Sequence, residues 1–334
     1  MLRQLGLNMS NDAKLQKIIL PPDFIDCSFG EPKVVTKTLF KHLGFELKAP
    51  LNYEYQPAQG LPALTKLLEE KYQAKVVITN GAKHGLSAIL HALKKNKYDG
   101  IYYDTPHYTP IPGLMQDAGL TRSPYIYSAR VLLLTSPNNP DGKTYTNTFM
   151  NLLAEDKYVI HDAAYNTPIY LPDGHLPEKV GHVQLYSLSK MYGMSGLRVG
   201  YVVCHDDTLF KDIVDYVETT TAGVSTASQE IALSIEEYFW QNPEKLKLFE
   251  QESRELLKQN RMLLNKLNPE VMTPNECMSN SMFSFCKKGS KLDFMKAKVH
   301  MLDGSLFGDA TMIRMNLAIP YNQLKEAIER LNKI

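Results

Sequence analysis

The stretch that decides the fold is Tyr186–Tyr201, YSLSKMYGMSGLRVGY. In it Lys190 follows two serines, Ser187 and Ser189, and Arg198 lies eight positions after the lysine, among Gly193, Gly196 and Gly200. Hydroxyl groups and a guanidinium are donors suited to a phosphate dianion. A cationic, dehydrated neighbourhood also lowers the pKa of a lysine, as a lysine that attacks a carbonyl requires. The stretch therefore predicts a phosphate site beside a reactive lysine.

Outward from this stretch, short apolar runs alternate with segments of helical periodicity. Buried strands that alternate with helices indicate a mostly parallel α/β sheet covered on both faces. In such sheets ligands bind at the carboxyl ends of the strands. The strand candidates are KVVITN (75–80), IYYD (101–104), VLLLTSP (131–137), YVIHDAAY (158–165), VQLYSLS (183–189) and VGYVVCH (199–205).

The last third of the chain has a different pattern. Residues 242–268 repeat apolar positions at helical spacing, with Asn242 before a proline at the first helical position. The strand candidates SMFSFCKK and IRMNLAIP follow, which gives an α+β composition. The first fifty residues lack the α/β alternation, and we expect them to pack against this part. We therefore predict a large domain over residues 49–245 and a smaller discontinuous domain from residues 1–48 and 246–334.

Composition and charge exclude several classes of protein. The 334 residues include 37 Lys+Arg and 36 Asp+Glu, and this balance argues against nucleic-acid binding through surplus positive charge. No run approaches the roughly 18 apolar residues of a membrane span, and we expect no signal peptide. The four cysteines lie apart without metal-ligand spacing, so we expect reduced thiols, no metal site and a cytoplasmic protein.

Ser-Leu-Ser-Lys at 187–190, followed by Gly-Leu-Arg-x-Gly at 196–200, resembles the lysine motif of fold-type I pyridoxal-phosphate (PLP) enzymes, the class I/II aminotransferases. Further matching segments occur in order from about Gly30 to Arg314. Asp141, where the family more often has threonine, also resembles the alliinase and tryptophan–pyruvate aminotransferase branch. The resemblance implies a PLP-binding large domain, with a mostly parallel seven-stranded sheet between helices, and a smaller α+β domain.

The same resemblance implies a role for individual residues. Lys190 is the implied catalytic residue, holding PLP as an internal aldimine. The implied cofactor-binding residues are Tyr55, Gly81, Ala82, Lys83, Tyr108, Asn139, Asp162, Tyr165, Ser187, Ser189, Lys190 and Arg198. The implied substrate-binding residues are Gly30, Asn139 and Arg314. Tyr55 would reach the phosphate of the neighbouring subunit, which implies a homodimer with shared active sites.

Physical chemistry supports these roles but leaves other readings open. Gly81 and the two residues after it open a helix, where backbone N–H groups bind phosphate, yet an ordinary strand-to-helix turn has the same pattern. Asp162 ends an apolar strand, where a carboxylate is costly without a partner such as a protonated pyridine nitrogen. It could instead cap a helix. Arg314 has the fork that binds a carboxylate, although a lone strand arginine is usually a surface charge.

The implied function is a PLP-dependent aminotransferase, which moves the α-amino group of an amino acid to a 2-oxo acid by a ping-pong mechanism. The alternative is a PLP-dependent lyase, decarboxylase or oxidase/cyclase on the same fold. A regulator built on this fold would need an attached DNA-binding module, for which the length leaves no room.

Two departures from the family concern the substrate. Residues 219–226, TTTAGVST, contain no arginine of the kind that dicarboxylate-specific relatives carry there, which favours a neutral side chain. The family's Gly-Gly-x-Phe segment appears as Asn280-Ser-Met-Phe283. Both leave the predicted cofactor site intact.

Overall fold

The computed structural model describes residues 20–46, 54–171, 180–274 and 281–334. The boundary predicted near residue 48 and Asn280 both lie outside the described residues. The strands are β1 (Ile25–Asp26), β2 (Lys75–Thr79), β3 (Gly100–Tyr103), β4 (Thr121–Arg122), β5 (Val131–Thr135), β6 (Tyr158–Asp162), β7 (Val183–Ser187), β8 (Gly200–Cys204), β9 (Met272–Pro274), β10 (Phe283–Lys288), β11 (Val299–His300), β12 (Leu302–Asp303) and β13 (Met312–Asn316).

The helices include both long amphipathic elements and single turns. The α-helices are α1 (Lys33–His42), α2 (Pro62–Tyr72), α3 (Ala82–Lys95), α4 (Ile111–Asp117), α5 (Asn147–Leu153), α6 (Leu188–Met191), α7 (Asp207–Thr221), α8 (Thr226–Gln241), α9 (Pro243–Met262), α10 (Phe294–Ala297) and α11 (Tyr321–Asn332). Short 3₁₀ helices occupy Ser195–Leu197, Leu263–Lys266 and Gly304–Phe307.

The central sheet has seven strands in the described part of the chain, in the order β2-β8-β7-β6-β5-β3-β4. All neighbours run parallel except β8, which is antiparallel to both β2 and β7. All five residues of β5 are buried, because helices cover both faces and no side of the strand meets water. The predicted mostly parallel α/β sheet is confirmed. The edge strand β4 has only two residues, both exposed, and so has no apolar pattern to predict it.

The parallel strands bring their carboxyl ends to one edge of this sheet. Thr135 at the end of β5 pairs with Asp162 at the end of β6, and β7 ends beside them at Ser187. The start of β8 lies against the start of α3, because a Cβ on Gly200 would be 2.6 Å from the Ala82 nitrogen. Only glycine permits this approach, which places the lysine stretch beside the start of a helix.

A second sheet, β12-β13-β10-β9, is antiparallel and carries α11 on a core of aliphatic residues. In the described part of the N-terminal segment, residues 20–46, β1 pairs with β11 and α1 lies on α9. The long helix α9 begins at Pro243 as expected. It ends at Met262, earlier than the periodicity suggests, and a 3₁₀ turn follows before Pro269.

The described helices include none with the length and apolar character needed to cross a membrane. Cys27, Cys204 and Cys286 are buried free thiols. The fourth cysteine, Cys277, lies outside the described residues.

Candidate active site

A cavity of about 360 Å³ lies at the carboxyl ends of β5, β6 and β7. Its other wall is formed by the loop at residues 28–31 and by side chains from β10 and β13. The predicted site residues that line it are Gly30, Ala82, Lys83, Tyr108, Asn139, Asp162, Tyr165, Ser187, Ser189, Lys190, Arg198 and Arg314. The fold thus brings together side chains that are almost 300 positions apart in the chain.

Lys190 lies on α6, a single turn that follows β7 directly. Its Nζ donates a hydrogen bond to Gly30 O across the cavity. Burial, reinforced by the guanidinium groups of Arg314 and Arg198, lowers the pKa of Lys190 to about 7, against a smaller opposing effect of the Glu31 carboxylate. An amine with this pKa is partly neutral near pH 7 and can act as a nucleophile or a base.

Asp162 is buried at the end of β6. The Ala164 N–H donates to Oδ1 at 3.2 Å, and Thr135 Oγ1 donates to Oδ2 at 3.4 Å. Burial raises the pKa of Asp162 to about 6, although these two hydrogen bonds act in the opposite direction. No cationic side chain in the described ranges contributes to this pKa. A buried carboxylate in this state gains free energy when a cationic ligand atom binds beside it.

Arg314 is buried on β13 and is held from several sides. Its Nη1 donates to Asn139 Oδ1 at 2.8 Å, and its Nη2 donates to Ser28 O at 2.7 Å. The guanidinium carbon lies 4.0 Å from the ring centroid of Phe283 and 4.8 Å from that of Phe307. Burial lowers the pKa of Arg314 to about 10, so it stays a cation near neutral pH. Its buried Nε has no partner among the described residues.

The start of α3 forms a corner of the cavity suited to an anion. Its first N–H groups, on Ala82 and Lys83, have no acceptor within the helix, and the helix dipole is positive there. Gly81 precedes them with φ of 76°, and a Cβ on it would lie 2.5 Å from Arg198 Nη2. Glycine therefore allows the Arg198 guanidinium to lie over the helix start. Burial and the Arg198 charge both lower the pKa of Lys83.

Two serines and two tyrosines are further predicted site residues that line the cavity. Ser187 and Ser189 are buried on either side of the start of α6. Burial, with the nearby Asp162 carboxylate, raises the pKa of Tyr108 to about 12. Burial also raises the pKa of Tyr165, against the opposing Arg314 charge. Both phenols therefore stay protonated and present a ring face or an O–H donor to the cavity.

Two predicted cofactor residues lie outside the cavity wall of this chain. Gly81 stands directly behind the wall, next to Ala82. Tyr55 is 93% exposed and is not among the residues that line this chain's cavity. Since the Tyr55 prediction concerns a neighbouring subunit, a single chain leaves it a prediction.

Several wall residues have no individual role in the sequence predictions. Ser28 supplies a backbone carbonyl, for which side-chain identity gives no signal. Phe283 stands in the segment that departs from the family's Gly-Gly-x-Phe pattern, and its ring packs on Arg314. The further wall residues are Phe29, Glu31, Leu86, Pro110, Thr135, Ala164, Leu185, Ser195, Gly196 and Leu302.

These residues fit PLP on grounds of their own chemistry. The cavity offers an amine at Lys190, a buried carboxylate at Asp162 and an anion corner at the start of α3. The partnerless Nε of Arg314 adds a buried donor for a further anion. The described residues hold no cluster of side chains that could bind a metal ion. The sheet and this site define the class: fold-type I PLP-dependent enzymes.

Comparisons with known proteins narrow the class. Residues 26–130 match the family model "Aminotransferase class I and II", and residues 124–279 match the model "Allinase". A probable aspartate/prephenate aminotransferase of Thermus aquaticus is 23% identical over 92% of this chain and 90% of its own. Tryptophan aminotransferase-related protein 2 of Arabidopsis thaliana is 30% identical, over 46% of this chain and 36% of its own.

Solved structures share the fold. A Thermus thermophilus aspartate aminotransferase double mutant superposes with a TM-score of 0.75 at 19% identity, covering 99% of this chain and 93% of that one. An aromatic aminotransferase from Pyrococcus horikoshii has a TM-score of 0.75 at 20% identity, covering 94% and 96%. The two family models together span residues 26–279, and the chain is a fold-type I PLP-dependent aminotransferase with PLP as its cofactor.

Proposed function

We propose that this enzyme transfers the α-amino group of a free amino acid to a 2-oxo acid in two half-reactions at one site, the ping-pong scheme. The observation that carries the proposal is the single cavity into which Lys190 and Arg314 both project. One supplies an amine with a lowered pKa, and the other a buried guanidinium fork. An α-amino acid presents the two matching groups, an amine and a carboxylate.

The residues around Lys190 divide the task of holding the cofactor. The N–H groups at the start of α3, with Ser187, Ser189 and Arg198, would bind its phosphate. Asp162 would accept a hydrogen bond from its ring nitrogen and keep that nitrogen protonated. Tyr108 would stack on the ring, while Asn139 and Tyr165 would donate to the phenolic oxygen. When bound, PLP supplies an aldehyde and a ring that withdraws electrons from the substrate.

Lys190 would both attach the cofactor and move the proton. With a substrate amine bound in the cavity, the Lys190 Nζ would be available to exchange a proton with the substrate. A pKa of about 7 leaves much of it neutral near pH 7, so it can accept the proton from the substrate Cα and return it.

Arg314 would hold the substrate α-carboxylate. Two parallel N–H···O bonds fix the plane of a carboxylate, and this fixes the direction of the Cα–H bond toward Lys190. The contacts of Arg314 to Asn139 and Ser28 already hold its guanidinium, so little ordering remains when substrate binds.

We propose a substrate with a neutral side chain, aromatic or aliphatic. The positively charged wall residues in the described ranges are Lys83, Lys190, Arg198 and Arg314. The last three have side-chain roles above, and Lys83 belongs to the anion corner at the start of α3, beside Arg198. No further positively charged wall residue of this chain, within the described ranges, is available to bind a second carboxylate of the substrate. Residues 219–226, which contain no arginine, agree with this. Some relatives are named aspartate aminotransferases, so a direct comparison of aspartate with phenylalanine and leucine decides this point.

We further propose a homodimer in which Tyr55 of one subunit reaches the phosphate site of the other. The support is that Tyr55 is 93% exposed in the single chain and does not line that chain's own cavity. We also propose that residues 49–245 form a large domain, and that residues 1–48 and 246–334 form a small one. The cytoplasmic location stays a prediction.

The test begins with spectra of the purified protein and its reaction with single amino acids. Amino donors should convert the bound cofactor in the absence of an oxo acid, and a 2-oxo acid should restore it. Borohydride should fix the cofactor to the peptide that contains Lys190. Lys190→Ala should abolish this attachment, whereas Lys83→Ala, at the cavity's other non-arginine cation, should keep it. Covalent attachment to the Lys190→Ala protein would exclude Lys190 from its role.

A second candidate, a carbon–sulfur lyase, is favoured by the match of residues 124–279 to the "Allinase" model. The same cofactor and cavity serve both reactions, so the fold does not separate them. An S-substituted cysteine provides the comparison. Release of pyruvate and ammonia without any 2-oxo acid would favour the lyase, and stoichiometric conversion of the cofactor would favour transamination.

A further inference from the structure

The loop at residues 27–31 forms the cavity wall opposite the central sheet, and its backbone is bound by side chains from elsewhere. Its five consecutive carbonyl groups all accept hydrogen bonds. The carbonyl of Ser28 accepts from Arg314, and that of Gly30 accepts from Lys190. The other three accept from Asn316, and the carbonyl of Glu31 accepts from the Lys33 N–H as well.

Asn316 is placed for this task by strand geometry. It lies two residues after Arg314 on β13, so both side chains project from the same face of the second sheet. Its Nδ2 donates to Phe29 O at 2.6 Å and to Glu31 O at 3.0 Å, which uses both amide hydrogens. Its Oδ1 accepts from the Ala318 N–H at 2.9 Å. The side chain is 1% exposed.

We propose that Asn316 is a positioning residue, which fixes the 27–31 loop so that the Ser28 carbonyl orients Arg314 and the Gly30 carbonyl faces Lys190. The proposal rests on the function assigned above to those two side chains. Asn316 itself acts through the loop. The carbonyls that Asn316 binds alternate along the loop with the two carbonyls that bind Arg314 and Lys190. A shift of the loop therefore moves the Arg314 and Lys190 contacts together.

The fixed loop also limits the access of water to the cavity. A carbonyl that is not held by a partner turns toward water, because a buried unsatisfied acceptor costs free energy. Loss of the Asn316 donors should therefore open the 27–31 loop. The Arg314 guanidinium then loses the Ser28 carbonyl, one of its two hydrogen-bond acceptors, and its alignment with a substrate carboxylate becomes poorer.

Asn316→Asp is the sharpest perturbation. Aspartate has the same shape and can still accept from the Ala318 N–H, but an oxygen replaces the nitrogen that faces two carbonyls. Asn260→Asp is the matched control. Asn260 is also 1% exposed, and its Nδ2 bridges two carbonyls, donating to Leu317 O at 2.6 Å and to Ile319 O at 2.8 Å. It makes the same kind of bridge without touching the loop.

Hydrogen exchange of the holoenzyme and steady-state kinetics provide the two readouts. Amide exchange in residues 26–33 should become about tenfold faster in Asn316→Asp and should match the wild type in Asn260→Asp. The kcat/KM for the amino donor should fall about tenfold, with part of the loss in kcat, because the Arg314 fork both binds the carboxylate and directs the Cα–H bond toward Lys190. Asn316→Ser, which retains one donor, should give a smaller change of the same kind and serves if the aspartate variant does not fold.

The outcomes separate this inference from the proposed function. Unchanged exchange in residues 26–33 of the folded Asn316 variants would overturn it. So would an equal change in the Asn260→Asp control, which would show a general loss of stability. Faster exchange confined to the loop, in a protein that performs no transamination with any donor, would support the positioning role and reject the proposed function.

Discussion

Substitution of Arg314 by lysine tests the substrate grip most directly. Lysine keeps the positive charge on β13 but replaces the planar fork with one nitrogen. In the native chain the guanidinium already donates to Asn139 Oδ1 at 2.8 Å and to Ser28 O at 2.7 Å, and its ring contact with Phe283 is at 4.0 Å. A lysine nitrogen cannot keep both contacts and also form two parallel bonds to a carboxylate.

The size of the effect follows from these contacts. Loss of one charge-assisted hydrogen bond costs about 1.5–3 kcal/mol. A lysine side chain, without the contacts that hold the guanidinium in the free enzyme, also loses about 0.5–1 kcal/mol through ordering when substrate binds. The sum, roughly 2–4 kcal/mol, corresponds to a fall of about 30- to 1,000-fold in kcat/KM for an α-amino acid.

The assay compares two donors that differ only in the carboxylate, such as phenylalanine and phenethylamine. Arg314→Lys should lower kcat/KM for the amino acid and change the weak turnover of the amine less than about threefold. Arg254→Lys is the control, because Arg254 Nε also holds a backbone carbonyl, Pro168 O at 2.7 Å, outside the cavity wall. A native enzyme that prefers the amine, or one indifferent to Arg314→Lys, would refute the role of Arg314.

Three further predictions concern titration and assembly. In cofactor-free protein, Asp162→Asn should raise the unfolding temperature at about pH 7.5 and have no effect below about pH 4, since burial raises the folded-state pKa of Asp162 from 3.8 to about 6. The stability that the protonated carboxyl contributes is complete below the unfolded-state pKa of 3.8 and is lost as the pH rises through the folded-state pKa of about 6. An equal effect of Asp162→Asn on the unfolding temperature at both pH values would contradict this. In the cofactor-free protein, acetic anhydride should label Lys190 half-maximally near pH 7, whereas ordinary lysines need a pH of about 10. A labelling midpoint for Lys190 near pH 10 would contradict its lowered pKa. Mixed subunits of inactive Tyr55→Phe and Lys190→Ala proteins should regain activity, because one site of each heterodimer is intact; a fully active monomer in sedimentation would exclude shared sites.

The predicted sheet and cofactor residues depend on local signals. The apolar runs that became β5 and β6 are strongly patterned because both faces of each strand are buried, and parallel strands must end together at one edge. Asp162 could therefore be placed at a ligand edge without knowledge of the fold. The two-residue strand β4 has no such pattern, since both of its residues are exposed.

The limits of sequence are clearest on the opposite wall. Arg314 could be named as a carboxylate grip only through a family resemblance, because nothing local separates a buried strand arginine from an exposed one. Its burial arises when β13 packs against the loop at residues 28–31, almost 290 positions earlier in the chain. The contribution of Ser28 is a carbonyl, which every residue has. Long-range contacts of this kind leave no trace in local periodicity.

By itself the sequence determined the alternation of strands and helices, the lysine stretch at 186–201 and the polar residues at strand ends. The physical reason is that burial and phosphate binding each require particular residue types at short, regular spacings. Only the tertiary structure decided how far the pKa of Lys190 falls, which carbonyls hold Arg314, and that Asn316 fixes the loop facing both. These properties depend on desolvation and on hydrogen bonds between segments that meet only after the two sheets pack together.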